Sequence, residues 1–252
     1  MNPATERFKE AAVKAGATLP EDSLSRLAAL WPGLRAALVD MDGTLYDSMP
    51  RHAEAWHTLC AEIGIDATRD EFFLYEGRTG ASTINLLFKR AFGREASPEE
   101  CKRLYHRKTE LFAAMPAVGV MPGAQSFIGL LADRGTECVL VTGSGQNTLL
   151  IRLDSDYPGI FVKRITSRDV THGKPAPEPY LKALAMAGAT ASEAIVVENA
   201  PLGVESGVAA GVFTLAVTTG PIPRSEFVKA GADLIFDSME QCAEFFKIIS
   251  EQ

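Results

Sequence analysis

The chain has 252 residues, 46% hydrophobic and 23% charged, an ordinary composition for a folded protein with one large or two modest cores. Its formal charge of −7 argues against a general nucleic-acid binder and a polybasic membrane binder, both of which need a basic surface. Cys60, Cys101, Cys138 and Cys242 lack zinc-type or redox-type spacing, the start MNPATERFKEAAVKAGA lacks a secretory layout, and no apolar run nears the ~20 residues of a membrane span, so reduced cysteines and a cytoplasmic location are expected.

Residues 1–35 read as a helical extension without a chemical motif. The first apolar run, RAALVD (35–40), predicts a buried strand. From 49 to 117 the pattern changes: RHAEAWHTLCAEIGI, STINLLFKRAFG and SPEECKRLYHRKTELFAAM all read as amphipathic helices with no strand between them. That stretch is expected to be an inserted helical-bundle cap domain, and the remainder, 1–48 and 118–252, a core domain. GVMPGAQSF marks the return to the core, after which ECVLVT (137–142), AIVVEN (194–199), TLAVTT (214–219) and DLIFD (233–237) predict further strands. TLLIRL and PYLKALAMAGA supply helices between them. The expected fold class is α/β, a doubly wound, Rossmann-like parallel sheet with the cap inserted.

The first strand runs into ALVDMDGTLYDSM (37–49), where Asp40 and Asp42 fall on the same side of an extended chain. A hairpin turn or a helix cap would explain one aspartate and leave the other without a role. Thr142, Gly143 and Ser144 in VTGSGQN put hydroxyls and backbone N–H groups at a strand-to-helix turn, where they suit an anion as well as a plain cap. Lys174 in THGKPAPEPY is placed by a proline-stiffened helix entry, and a rigid ammonium there neutralises a phosphate if it is not simply solvated. Glu198 and Asn199 in VVENAPLG end a strand as two oxygen donors. Asp40, Thr142 and Glu198 would share the carboxyl edge of the sheet, where open α/β folds bind ligands.

The order DxDGT, helical insert, T-G-S, G-K-P and E-N-x-P-x-G resembles the haloacid dehalogenase superfamily of phosphohydrolases and phosphomutases over residues 36 to about 240. RHAEAWH, YEGRTGAST and HRKTELF extend the resemblance to the β-phosphoglucomutase-like branch, and within it to bacterial members that hydrolyse inorganic pyrophosphate. The resemblance implies that Asp40 is a nucleophile forming an aspartyl-phosphate and that Asp42 is general acid and then general base. It implies Mg²⁺ held by Asp40, the Asp42 carbonyl and Glu198 or Asn199. Thr142, Gly143 and Ser144 would bind the transferring phosphoryl group, with Lys174 offsetting its charge. Asn199 stands where many relatives carry a second acid, and contributes an oxygen without a charge.

In the cap, His52 is similar to a hinge histidine, Arg78 to an arginine that holds a distal phosphate, and Lys108 to another phosphate-facing position. His52, His57 and Lys108 equally suit packed or solvated helix faces. Glu76, just before GRTG, would repel a sugar phosphate unless a metal or proton intervenes. The leading expectation is a Mg²⁺-dependent phosphohydrolase of a small phosphorylated molecule, with pyrophosphate the leading substrate and β-phosphoglucomutase activity the alternative. A receiver domain fits poorly, since it needs neither a cap nor a second acid. The expected partner is a small phosphate compound, with no nucleic acid and no membrane, and the chain is expected to be a monomer.

Overall fold

Uninterrupted apolar runs become strands because helices cover both faces of the sheet, so no strand position has to alternate toward water. A computed structural model describes residues 3–145 and 147–251. Gln146 of VTGSGQN lies outside the described residues, as does the side chain of Asn147. The strands are β1 (Ala36–Val39), β2 (Glu137–Val141), β3 (Lys163–Ile165), β4 (Ala194–Glu198), β5 (Phe213–Val217) and β6 (Leu234–Phe236). They pair in parallel in the order β3-β2-β1-β4-β5-β6, the expected doubly wound architecture. The sequence reading contains no counterpart of β3. This edge strand pairs only with β2, and two of its three residues are charged and half-buried, so it carries no apolar run to read.

The helices are α1 (Pro3–Lys14), α2 (Glu21–Leu30), α3 (Met49–Glu62), α4 (Glu71–Leu74), α5 (Gly80–Phe92), α6 (Pro98–Ala114), α7 (Ala124–Asp133), α8 (Asn147–Asp156), α9 (Glu178–Ala187), α10 (Pro201–Ala209), α11 (Arg224–Lys229) and α12 (Met239–Ser250). Successive residues of β1 serve opposite faces. Ala37 and Val39 join Leu140 and Val197 in a layer with α1, α2, α7 and α12, whereas Ala36 and Leu38 join Val139 and Val196 against Tyr180 and Ala183 of α9. No helix among the described residues is long and apolar enough to cross a membrane, and the four cysteines are free thiols.

Helices α3 to α6 enclose a separate apolar cluster that includes Trp56, Phe72, Ile84, Leu87, Phe88 and Leu104. Their boundaries are local chemistry. Thr79 accepts a hydrogen bond from Ser82 N–H at the start of α5, and Ser97 with Glu100 forms a reciprocal capping box at the start of α6. The two chain crossings between this bundle and the sheet lie side by side, with Asp47 N–H donating to the Gly119 carbonyl (3.1 Å) and Met121 N–H to the Leu45 carbonyl (2.9 Å).

The extension belongs to the main core, because Phe8 is buried edge-on against Phe245 of α12 with ring centroids 6.1 Å apart. Phe8→Ala should therefore cost about 3 kcal/mol or more of unfolding free energy in urea, as expected for a cavity left by a large buried ring.

Candidate active site

Asp40 follows the last residue of β1 and stays in the ladder, its N–H donating to the Val197 carbonyl at 3.0 Å. The chain then turns at Gly43, whose φ of +79° lies in the left-handed region, and a Cβ there would sit 1.8 Å from Asn199 Nδ2. Glycine is required on both counts. The turn leaves Asp40 and Asp42 lining one cavity of about 60 Å³ with Thr142, Gly143 and Ser144 on the sheet side and Glu76, Arg78 and Lys108 opposite.

Lys174 Nζ is buried between two carboxylates, 2.6 Å from Asp40 Oδ1 and 2.5 Å from Glu198 Oε1, and donates to the Val141 carbonyl at 3.1 Å. Burial pulls an ammonium down, but the two carboxylates outweigh it and hold Lys174 above its ordinary range. Asp40 is pushed well above the usual carboxylate range by burial, which Lys174 opposes and the charges of Glu198 and Asp42 reinforce.

Glu198, expected among the metal ligands, has hydrogen-bond partners at both carboxylate oxygens. Its Oε1 faces Lys174 and accepts from the Tyr180 hydroxyl (2.6 Å), while Oε2 accepts from the N–H groups of Asn199 (3.1 Å) and Ala200 (3.3 Å). A carboxylate engaged at both oxygens buttresses the lysine and the entry to α10. Gly203 gives it room, since a Cβ there would lie 1.9 Å from Oε1.

Asp42 is held by different partners. The Ser48 hydroxyl donates to Oδ1 at 2.7 Å, His52 Nε2 lies 2.9 Å from the same oxygen, and His52 Nδ1 faces the Lys108 ammonium. With Lys108 donating to Nδ1, the imidazole carries its proton on Nε2 and donates to Asp42. Burial pushes Asp42 up, but His52, Ser48 and the Lys108 charge together bring it below its ordinary value. Burial and the neighbouring lysine lower His52. Burial also pushes Lys108 down to about 7, against the attraction of Asp42.

The phosphate loop is equally explicit. Thr142 N–H continues the ladder to the Ile165 carbonyl (2.9 Å), Ser144 N–H folds back onto Thr142 Oγ1 (3.0 Å), and a Cβ on Gly143 would meet the Gly77 carbonyl at 2.6 Å. Glu76 Oε1 accepts from Asn199 Nδ2 at 2.5 Å across the same cleft. Burial raises the Glu76 pKa well above its ordinary value, with Asp40, Glu198 and Asp42 adding to the effect. Arg78 reaches Ser82 Oγ through one terminal nitrogen (3.1 Å), while its buried Nε has no partner among the described residues. Each expected site residue except Glu198 thus borders the cavity or, in the case of Lys174 and Asn199, bonds directly to a residue that does.

Three participants are absent from the sequence reading. Ser48 was readable, as the polar residue before a proline-started helix a few positions beyond the Asp pair. Tyr180 and Tyr105 carry no such local signal. The Tyr105 hydroxyl accepts from Gly145 N–H at 2.7 Å, a contact made only by the packing of α6.

The donors suit a hard cation. Asn199 Oδ1 is buried without a partner among the described residues, and Asp40, Asp42 and Glu76 crowd nearby, Asp40 and Glu76 with their pKa values raised by burial. Among the described residues no three His, Cys, Asp or Glu side chains form a metal cage by themselves. One or two carboxylates with carbonyl oxygens, waters and a substrate phosphate are the usual set for Mg²⁺. Lys108 gives a separate pH signature. Its folded value lies below that of an unfolded lysine, so the unfolded chain binds the extra proton between them and stability rises with pH from about 7 toward 10. Below that window the penalty is fully present. Lys108→Met should lose this rise, flattening the wild-type stability increase by more than ~1 kcal/mol in urea melts at pH 7 and 10.

Comparison with known proteins places this arrangement in a family. Residues 34–211 match haloacid dehalogenase-like hydrolases. A candidate β-phosphoglucomutase of Bacteroides vulgatus superposes with a TM-score of 0.84 at 42% identity, covering 98% of this chain and 97% of that one. Hexitol phosphatase A of Escherichia coli is 29% identical over 208 residues, 81% of this chain and 91% of that protein. The 2-deoxyglucose-6-phosphate phosphatase 1 of Saccharomyces cerevisiae is 28% identical over 227 residues, 81% and 87% of the two chains. These names concern sugar phosphates, and none of the three carries the pyrophosphate specificity that the sequence reading expects. With most of its length matched and its strand-end acids assembled around one cavity, the chain belongs to the haloacid dehalogenase-like hydrolase family.

Proposed function

We propose that the protein is a Mg²⁺-dependent phosphohydrolase that forms an aspartyl-phosphate on Asp40, and that its substrate is inorganic pyrophosphate. The observation that carries the chemistry is the pairing of Asp40 with Lys174 (2.6 Å) beside an Asp42 held by Ser48 and His52. Asp40 attacks one phosphorus in line, the bridging P–O bond breaks and orthophosphate departs, while the Lys174 ammonium limits the build-up of negative charge. Thr142, Gly143 and Ser144 orient the phosphoryl oxygens, and Arg78 Nε is a donor still to be used. Asp42 then takes a proton from the water that hydrolyses the intermediate. Mg²⁺ held by Asp40, the Asp42 carbonyl and Asn199 would screen the charge between substrate and carboxylates when bound.

Two features favour pyrophosphate. Asp42 is held toward its ionised form by its partners, which suits a leaving group needing little protonation, and phosphate is a far better leaving group than a sugar alkoxide. Glu76, hydrogen-bonded to Asn199 at the edge of a cavity of about 60 Å³, adds an acid that a small, metal-laden substrate accommodates. A second reading, a phosphorylated sugar hydrolysed or isomerised, is favoured by the named relatives. Orthophosphate release from pyrophosphate, hexitol and hexose phosphates, and conversion of β-glucose 1-phosphate, each with and without Mg²⁺, separates the readings. Faster turnover of a sugar phosphate than of pyrophosphate would overturn the first.

Asp40→Asn should leave the fold intact and reduce turnover at least 10³-fold, a barrier increase of about 4 kcal/mol. Activity of a few per cent in a verified sample would remove Asp40 from the nucleophile role. Glu76→Ala should lower kcat/KM for pyrophosphate by about tenfold or more, roughly 1.4 kcal/mol, and affect organic phosphate esters much less. Equal losses on both substrates would show that Glu76 does not select between them.

A further inference from the structure

The Tyr105 side chain of α6 is bonded to the phosphate loop by a contact the mechanism above does not use. Its hydroxyl accepts from Gly145 N–H at 2.7 Å, and the Ser144 side chain is a second neighbour of the same oxygen. The ring is admitted by missing side chains on both sides. A Cβ on Gly80 would lie 2.0 Å from Tyr105 Cδ2, and one on Gly145 would lie 3.2 Å from Cε1. Trp56 packs on it with ring centroids 6.3 Å apart. Tyr105 also lines the cavity bordered by Asp42, Arg78 and Lys108.

A phenol oxygen that accepts from a backbone N–H still has its own hydrogen to donate. The neutral Ser144 hydroxyl is a weaker acceptor than an anionic oxygen. We propose that Tyr105 is a leaving-group-binding residue, donating its hydrogen to the second anionic group of the substrate, the one not transferred to Asp40. The assignment rests on the pyrophosphate reading and deepens it by fixing which residue recognises the departing phosphate. Because the oxygen is held by the Gly145 amide, the donor is available only when α6 lies on the phosphate loop. Recognition of the second phosphate and closure over the first would then be one event.

The test uses Tyr105→Phe, which keeps the ring and removes the hydroxyl, with an unchanged thermal melt as the control for folding. Binding of methylenebisphosphonate, a two-phosphorus ligand that cannot be hydrolysed, and of orthophosphate is measured by calorimetry in Mg²⁺ for both proteins. The substitution should weaken methylenebisphosphonate binding at least tenfold while orthophosphate affinity stays within twofold. With pyrophosphate as substrate, KM should rise more than kcat falls. An unchanged bisphosphonate affinity overturns the assignment alone, as does an equal loss for both ligands, which would mean that the hydroxyl only latches α6 to the loop. Failure of the wild-type protein to bind either ligand overturns the assignment together with the function on which it rests.

Discussion

The rest of the site depends on one buried ammonium. Asp40, Asp42, Glu76 and Glu198 are all buried within one neighbourhood, an arrangement that like-charge repulsion and lost hydration would otherwise forbid. Lys174 makes it possible by standing between Asp40 and Glu198 and bonding to the end of β2 through the Val141 carbonyl. Glu198 in turn carries the Tyr180 hydroxyl from α9 and the first N–H groups leading into α10. The ends of β1, β2 and β4 are thereby registered against one another through a single side chain, as well as through the ladder.

Backbone proximity is the second constraint. Where the segment carrying α3 to α6 meets the sheet, contact is made at positions with no side chain: Gly43 against Glu76, Gly143 against the carbonyls of Gly77 and Arg78, and Gly173 against Thr79. Each closeness forces glycine and brings two chain segments to within hydrogen-bonding reach of one small volume. The acids around that volume are buried, and burial strengthens the electrostatics between them. Asp40 and Asp42, two residues apart, consequently differ in character. Asp40 faces a lysine in a strongly desolvated slot, whereas Asp42 is stabilised as a carboxylate by a hydroxyl and an imidazole.

Much of this is legible along the chain where chemistry is local. The strands at Ala36–Val39, Glu137–Val141 and Ala194–Glu198 announce themselves as apolar runs ending in polar residues, and Asp40, Thr142 and Glu198 fall at their ends because a parallel sheet places those ends together. The longer helices of the insert, α3, α5 and α6, are readable from their period, whereas the four-residue α4 is too short to show one. The short β3 is not, since an edge strand with two charged residues has no pattern to distinguish it from a loop. Glu198 is the instructive case. As an acid at a strand end it looks like a ligand, and only the positions of Lys174 and Tyr180 show that both of its oxygens are taken.

By itself, then, the sequence determines the sheet, the break for a helical insert and the residue types that gather at the carboxyl edge, because these follow from hydrophobic period and from turn chemistry within a few residues. Tertiary structure alone decides how those residues are paired. Lys174 meets Asp40 across 134 positions, Glu76 meets Asn199 across 123, and Lys108 meets His52 across 56. No local pattern encodes such distances, since each arises from the crossing of separate elements. Protonation states, and hence the division of labour between two neighbouring aspartates, are set by those pairings and by burial, which are properties of the packed molecule.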